Sequence, residues 1–375
     1  MDKKFFMGIA AMAALTLVSC SSDDLDSLSD NSSKNEAISF DGYLGRSAVA
    51  VNGSRGSVET AKTLETNGFG VFSKYTGTAS FPDFANQKVT YSNSKWTYTP
   101  LKFWPAQGDI NFLAYAPYNY AGTNTTLTGT SISFEVYNTV ANQKDLLWAN
   151  AKGQITADFA STKAKVNFHF YHALSRLGYT VKLSGDYPSK DVTFTLKKIT
   201  LAGSPDGTTK KAFYSKGIID LSKTNTETGL WKTDDTKQNF EWFDAGDQTV
   251  NITYVDPNKK PAEKPVSNKD YLFVIPQNFP EKIQDASGQQ IDNPDKLYVI
   301  VEYEINYKSG TPSTIPNKVY KQITPNFLQG KAYMLNLTIG RPIEFDVNVT
   351  NGVEDWGTEN GINIGSDGNL WDGIE

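Results

Sequence analysis

Cys20 is the residue of this chain whose type and setting point most directly to a covalent chemistry. It closes the run Leu17-Val18-Ser19-Cys20, behind an apolar stretch from Phe5 to Val18 that follows Lys3 and Lys4. That stretch is shorter than the roughly 20 residues a spanning helix needs and has the size of a secretory h-region. Small residues before the cysteine suit a signal-peptidase pocket, and the thiol is the nucleophile that would take a diacylglyceryl group. As the only cysteine of 375 residues, it has no disulfide partner. The pattern is a bacterial lipobox. It predicts an exported lipoprotein in which residues 1–19 are removed and Cys20 is lipidated.

Other chemistry-bearing residues are few. Arg46 stands between Gly45 and Ser47, and Arg55 between Ser54 and Gly56, so a trypsin-like protease could approach either. The plain reading of either arginine is a solvated loop charge. The two histidines, His169 and His172, fall on opposite faces of a regular strand. His172 reads as closing a strand end by hydrogen bonding rather than binding metal. There is no Gly-rich phosphate loop, HExxH or CxxC. Gly365-Ser366-Asp367-Gly368-Asn369 lacks the acidic series and closing Glu of a calcium loop. No catalytic residue, metal or cofactor is expected, and the chain does not read as an enzyme. A net charge of −5 and pI near 5.3 argue against nucleic acid as a partner.

The elements that would position these groups are strands. Aromatics make up 13% of the chain, and 16 Pro and 29 Gly punctuate it, a composition that favours many short strands. Ile38, Phe40, Gly42 and Leu44 alternate with polar residues or Tyr43, so Ile38, Phe40 and Leu44 form one apolar face. Asn93 and Ser94 turn the chain into a hairpin with Lys95–Tyr98. Ala164, Val166, Phe168, Phe170 and His172 share the face of a further strand. Helix is expected only as single turns at Thr60–Glu65 and Ala173–Leu177. Further strands are expected out to Tyr333–Ile339.

This pattern predicts an all-β chain with a β-sandwich in each half. The expected segments are a signal peptide (1–19), a Ser/Asp/Asn-rich tether (20–36), an N-terminal domain (37–157), a C-terminal domain (158–357) and a tail (358–375). In the tail, Ile362, Ile364, Leu370 and Ile374 share a parity, as one face of a strand would require. Glycines 361, 365, 368 and 373 raise the entropy lost on ordering it, so an edge-covering or unstructured tail is the alternative.

Several motifs, in order along the chain, resemble the fimbrillin family, the Mfa-like subunits of type V pili in Bacteroidales. They are Phe69-Gly70-Val71-Phe72, Trp104-Pro105, Phe112 to Tyr118, Asp145-Leu146-Leu147, Phe170 to Leu177, Asn336 to Ile339 and Val353 to Trp356. Ser21-Ser22-Asp23-Asp24 also resembles the acidic patch that sends lipoproteins of that order to the outer cell surface. The resemblance implies two tandem transthyretin-like sandwiches, exported as a lipid-anchored precursor to the outer membrane. It implies that an arginine-specific protease cuts behind the first strand, here between Arg46 and Ser47 with Arg55 as second candidate, and that Ile38, Phe40 and Leu44 plug the first sandwich until then. It also implies that a strand donated by another pilus subunit replaces them, for which Ile362, Ile364, Leu370 and Ile374 are the candidates in this chain. The resulting fimbria would support adhesion to host or bacterial surface ligands. A different reading is a monomeric surface lipoprotein that binds glycans, with Trp96, Trp104, Trp148, Trp231, Trp242 and Trp371 as stacking platforms.

Overall fold

A computed structural model of the chain describes residues 37–44, 58–78, 81, 83–120, 126–155, 165–185, 187, 191–259, 264–340 and 345–355. The first ten strands are β1 (Phe40–Leu44), β2 (Phe69–Tyr75), β3 (Gln87–Ser92), β4 (Lys95–Thr97), β5 (Asp109–Ala116), β6 (Ser131–Glu135), β7 (Leu147–Ile155), β8 (Val166–His172), β9 (Ser175–Leu183) and β10 (Val192–Ala202). One short helix, α1 (Ala61–Asn67), precedes β2. Its start is a capping box: the Thr60 hydroxyl accepts from the Thr63 N–H, and the Thr63 hydroxyl accepts from the Thr60 N–H. Gly68 ends it at φ 69°, where a side chain would also strike the carbonyl oxygen of Val89. The expected helical turn at Thr60–Glu65 is therefore present.

Seven strands form the first sheet in the order β1-β8-β7-β5-β2-β3-β4. The β1–β8 pair is parallel, with Phe40 opposite Val166 and Leu44 opposite Phe170. The β3–β4 hairpin turns at Asn93 and Ser94, both with positive φ, the geometry that matches strand twist. The sheet curls until its two edges approach, and Trp96 of β4 lies beside Gly42 of β1. Inside the curl sits a core of Ile38, Phe40, Leu44, Phe69, Phe112 and Phe168 with their neighbours. The period of two divides β5 between two cores. Ile110, Phe112, Ala114 and Ala116 face this one, whereas Leu113 and Tyr115 face a second.

The second core lies between two further sheets. In one, Lys331–Ile339 runs between β9, to which it is parallel, and Phe345–Asp355. In the other, β10 pairs with Leu297–Tyr307 and Phe240–Asp244, and Ser313–Ile323 forms an edge. β6 leaves the first sheet and pairs with Lys216–Asp220.

One expectation needs correction. Ala173–Leu177 is not a helical turn, because Ser175 opens β9. That strand is paired on both edges and buried on both faces over Ser175–Tyr179, so its apolar run shows no alternation. The first sheet extends past residue 157. There β8 pairs with β7 and β1. The chain changes sheets at Ala173–Leu174, between β8 and β9.

Candidate functional site: the seat of the first strand

β1 brings its whole alternating face into the first core. Ile38 is 1% exposed, Phe40 2% and Leu44 5%, whereas Tyr43 on the other face is 58% exposed. The Phe40 ring is surrounded by four others: Phe84, Phe112 and Phe168 at centroid distances of 5.4, 5.4 and 5.6 Å, and Tyr98 at 5.5 Å. Burying three such side chains contributes on the order of 5–8 kcal/mol of gross transfer free energy.

The ladder that holds this face is one-sided along most of its length. Phe40–Leu44 pairs with β8 alone among the described strands. Only the start of the segment is also gripped from the other side, by a strap over Tyr98–Phe103. The Ile38 N–H donates to the Lys102 carbonyl at 2.8 Å, and the Tyr98 hydroxyl donates to the Ile38 carbonyl at 2.7 Å. Ala37 and Phe103 form an antiparallel bridge beside them. Burial pushes the Tyr98 hydroxyl up to about 12, so it remains a donor across physiological pH. Lys102 donates to the Asp83 carbonyl, and its ammonium stands 4.4 Å from the centre of the Phe84 ring, pinning the strap.

A buried polar cluster anchors the far end of β8 and the segment that re-enters after β1. Asp145 is fully buried, and its Oδ2 lies 2.5 Å from His172 Nδ1 while accepting the Glu59 N–H at 3.2 Å. Glu59 is buried too, and it accepts from the Thr63 hydroxyl at 2.9 Å and the Asn67 amide at 2.8 Å. Desolvation raises the Asp145 carboxyl, against the opposing pull of His172 and Arg176. Desolvation and the neighbouring Asp145 push Glu59 up to about 7. Two motifs quoted from the sequence, Asp145-Leu146-Leu147 and the run through His172 to Arg176, thus meet at one point. His172 closes the end of β8 by a hydrogen bond, as expected, and His169 faces the opposite, exposed side.

The raised Glu59 carboxyl has a pH consequence. Below about pH 4.5 it is protonated in folded and unfolded chains alike. Between about 4.5 and 7 the unfolded chain releases the proton and the folded one keeps it, so stability falls as pH rises through this window. The loss is on the order of 3 kcal/mol, and the raised Asp145 acts in the same sense. Urea unfolding at pH 5 and pH 8 measures it. Glu59→Gln should flatten the dependence, and an equally steep slope in that variant would remove Glu59 as its source.

Several expected sites lie outside the described residues: Cys20, Arg46, Ser47, Arg55, Ile362, Ile364, Leu370 and Ile374, as well as Trp371. Both arginines fall in the interval between Leu44, which ends β1, and Val58. The described indoles serve the interior. Trp104, Trp148 and Trp242 are buried, and Trp96 packs on Phe69 and Tyr91. Trp148, Trp231 and Trp242 donate to the carbonyls of Lys223, Ala173 and Asp270. None of the three presents a free N–H edge to a sugar. Among the described residues, no group of three or more His, Cys, Asp or Glu is arranged to hold a metal ion. The strap and the Glu59–Asp145 pair escaped the sequence reading. Pro100 marks a break after the β3–β4 hairpin, but nothing local says that the chain beyond it crosses the first strand.

Comparison with known proteins points in one direction. A family model described as fimbrillin-like matches residues 57–356. The fimbrium subunit Fim1C of Phocaeicola vulgatus is 26% identical over 384 residues, spanning 93% of this chain and 95% of that one. The fold is similar to the crystal structure of a fimbrial protein from Bacteroides vulgatus, with a TM-score of 0.58 at 21% identity over 85% of this chain and 99% of the other.

Proposed function

The chain belongs to the fimbrillin-like family, and on that premise we propose that it is a structural subunit of a cell-surface fimbria that supports adhesion, assembling with other subunits rather than turning over a substrate. In this proposal the lipid on Cys20 ties the precursor to the outer membrane, with residues 20–36 as tether. An arginine-specific protease cuts between Arg46 and Ser47, the first strand leaves, and an extended segment of a neighbouring subunit takes its seat. The tail beyond residue 357 is the part of this chain available to be donated.

One observation carries the reading. Ile38, Phe40 and Leu44 complete a core, yet most of their strand is held by a single edge, and the next residues of the chain run to Arg46. An emptied seat would leave a ring-lined groove and an unpaired edge of β8, and both are satisfied by adding a strand. Cutting close behind a strand turns it from a tethered element into a peptide that can diffuse away.

The test is incubation with an arginine-specific protease. A new N-terminus at Ser47, release of the peptide that carries Ile38–Leu44, and SDS-stable ladders of the remainder are expected, and Arg46→Ala should suppress all three. Complete cleavage at Arg46 that leaves only monomer would count against assembly through this seat.

A further inference from the structure

The seat makes two demands that go beyond an apolar strand, and both come from its geometry. At Phe40 it offers a cage of aromatic rings, three of them from the buried Phe84, Phe112 and Phe168 and the fourth from the half-buried Tyr98 at its rim. Two residues on, at Gly42, it has almost no room. A Cβ there would lie 3.1 Å from the ring of Phe69, 3.4 Å from that of Trp96 and 3.5 Å from that of Phe170. Alanine would touch all three rings and press on that of Phe69, and a side chain the size of phenylalanine or leucine would have to displace them. A strand in this seat is thereby held in register, because sliding by two residues would put Phe40 or Leu44 where there is no room for a large side chain.

The triplet that meets both demands, aromatic-Asp-Gly, occurs twice in the chain: as Phe40-Asp41-Gly42 and as Trp371-Asp372-Gly373. We propose that Trp371-Asp372-Gly373 of a second copy is the segment that replaces β1, with Trp371 in the Phe40 cage, Gly373 in the Gly42 gap and Asp372 outward, where Asp41 stands 3.9 Å from Lys165. This rests on the strand-exchange reading and adds to it a register. It turns inward the parity opposite to that of Ile362, Ile364, Leu370 and Ile374; on that parity Ile362, Ile364 or Leu370 in the cage would bring Ile364, Ser366 or Asp372 to the Gly42 gap, and Gly368 in the gap would leave only Ser366 for the cage.

The register also accounts for the order of events. It puts Asn369 where Ile38 is buried and Glu375 where Leu44 is buried, so the donated segment fits less well than the strand it replaces. An uncut β1, tethered and better matched, keeps the seat, and exchange waits for its removal.

Two measurements on the full chain test this. In the first, protease-cleaved variants are scored for SDS-stable polymer. Trp371→Ala and Gly373→Val should each reduce it tenfold or more, with Leu370→Ala and Ile374→Ala close to wild type. Polymer that survives the first pair and disappears with the second overturns the register while leaving strand exchange standing. A cleaved wild-type chain that stays monomeric overturns both. The second measurement is hydrogen exchange on the uncut chain. Phe40→Trp should keep the protection of the Phe40–Leu44 amides within about tenfold, while Gly42→Val should lower it a hundredfold or more. If Phe40→Trp loses as much protection as Gly42→Val, the cage does not take an indole and the proposal fails.

Discussion

Phe40→Ala is expected to destabilise the first core by about 4 kcal/mol, within the range for truncating a buried phenylalanine. The size of the effect follows from the surroundings of the ring. Four aromatic neighbours lie at 5.4–5.6 Å, two of them edge-on, and such pairs contribute beyond the area they bury. β1 lies at the edge of its sheet, with no other described strand to share the load. The cost should therefore appear first as local detachment: amide protection over Phe40–Leu44 should fall about a thousandfold, while protection of β5 and β7 is kept. Tyr43→Ala, on the same strand but facing solvent, should change stability by less than about 0.5 kcal/mol. Equal losses from the two substitutions would show that the alternation does not govern how this strand is held.

Asp145→Ala should cost about 3–5 kcal/mol, the range for breaking a buried charged pair from one side. The substitution leaves the Glu59 N–H and His172 Nδ1 without their shared acceptor and removes the carboxylate that offsets Arg176. Because the cluster joins the segment before α1 to the end of β8, the loss should reach both, and amides over Glu59–Leu64 and Phe170–His172 should lose protection together. Asp145→Asn, which keeps one acceptor but no charge, should cost less. Thermal or urea unfolding ranks the variants, and a cost below about 1 kcal/mol for Asp145→Ala would mean that water or another group satisfies these partners as well as the carboxylate does.

How much of this could be read in the chain depended on the range of the interaction. The alternation of Ile38, Phe40 and Leu44, the opposite faces of His169 and His172, and the Asn93-Ser94 hairpin are set by neighbours within a few residues, and all three are present. Ser175–Tyr179 misled because a strand buried on both faces loses the alternation that identifies strands, and a short apolar run then reads equally well as helix. That the first sheet extends past residue 157 was hidden for a related reason. β8 joins the first sheet through a parallel pairing with β1, and parallel partners are separated by long crossovers that leave no turn signature between them. The indoles of Trp148, Trp231 and Trp242 have the same composition whether they face sugar or core, and only the carbonyls that receive their N–H groups distinguish the two.

By itself, the order of residues determined the strand-rich class, the apolar face of the first strand, the lone cysteine behind an apolar stretch and the arginines close behind Leu44. Those features are carried by composition and by periods of two, which any stretch of chain displays without its partners. Only the tertiary structure decided that β8 receives β1, that the Tyr98–Phe103 strap grips one end of it, that Gly42 sits against three rings and that Glu59 shares Asp145 with His172. Each of these joins residues far apart along the chain. Their meeting depends on which faces bury the most apolar surface together while pairing most of the buried polar groups, a condition on the whole fold.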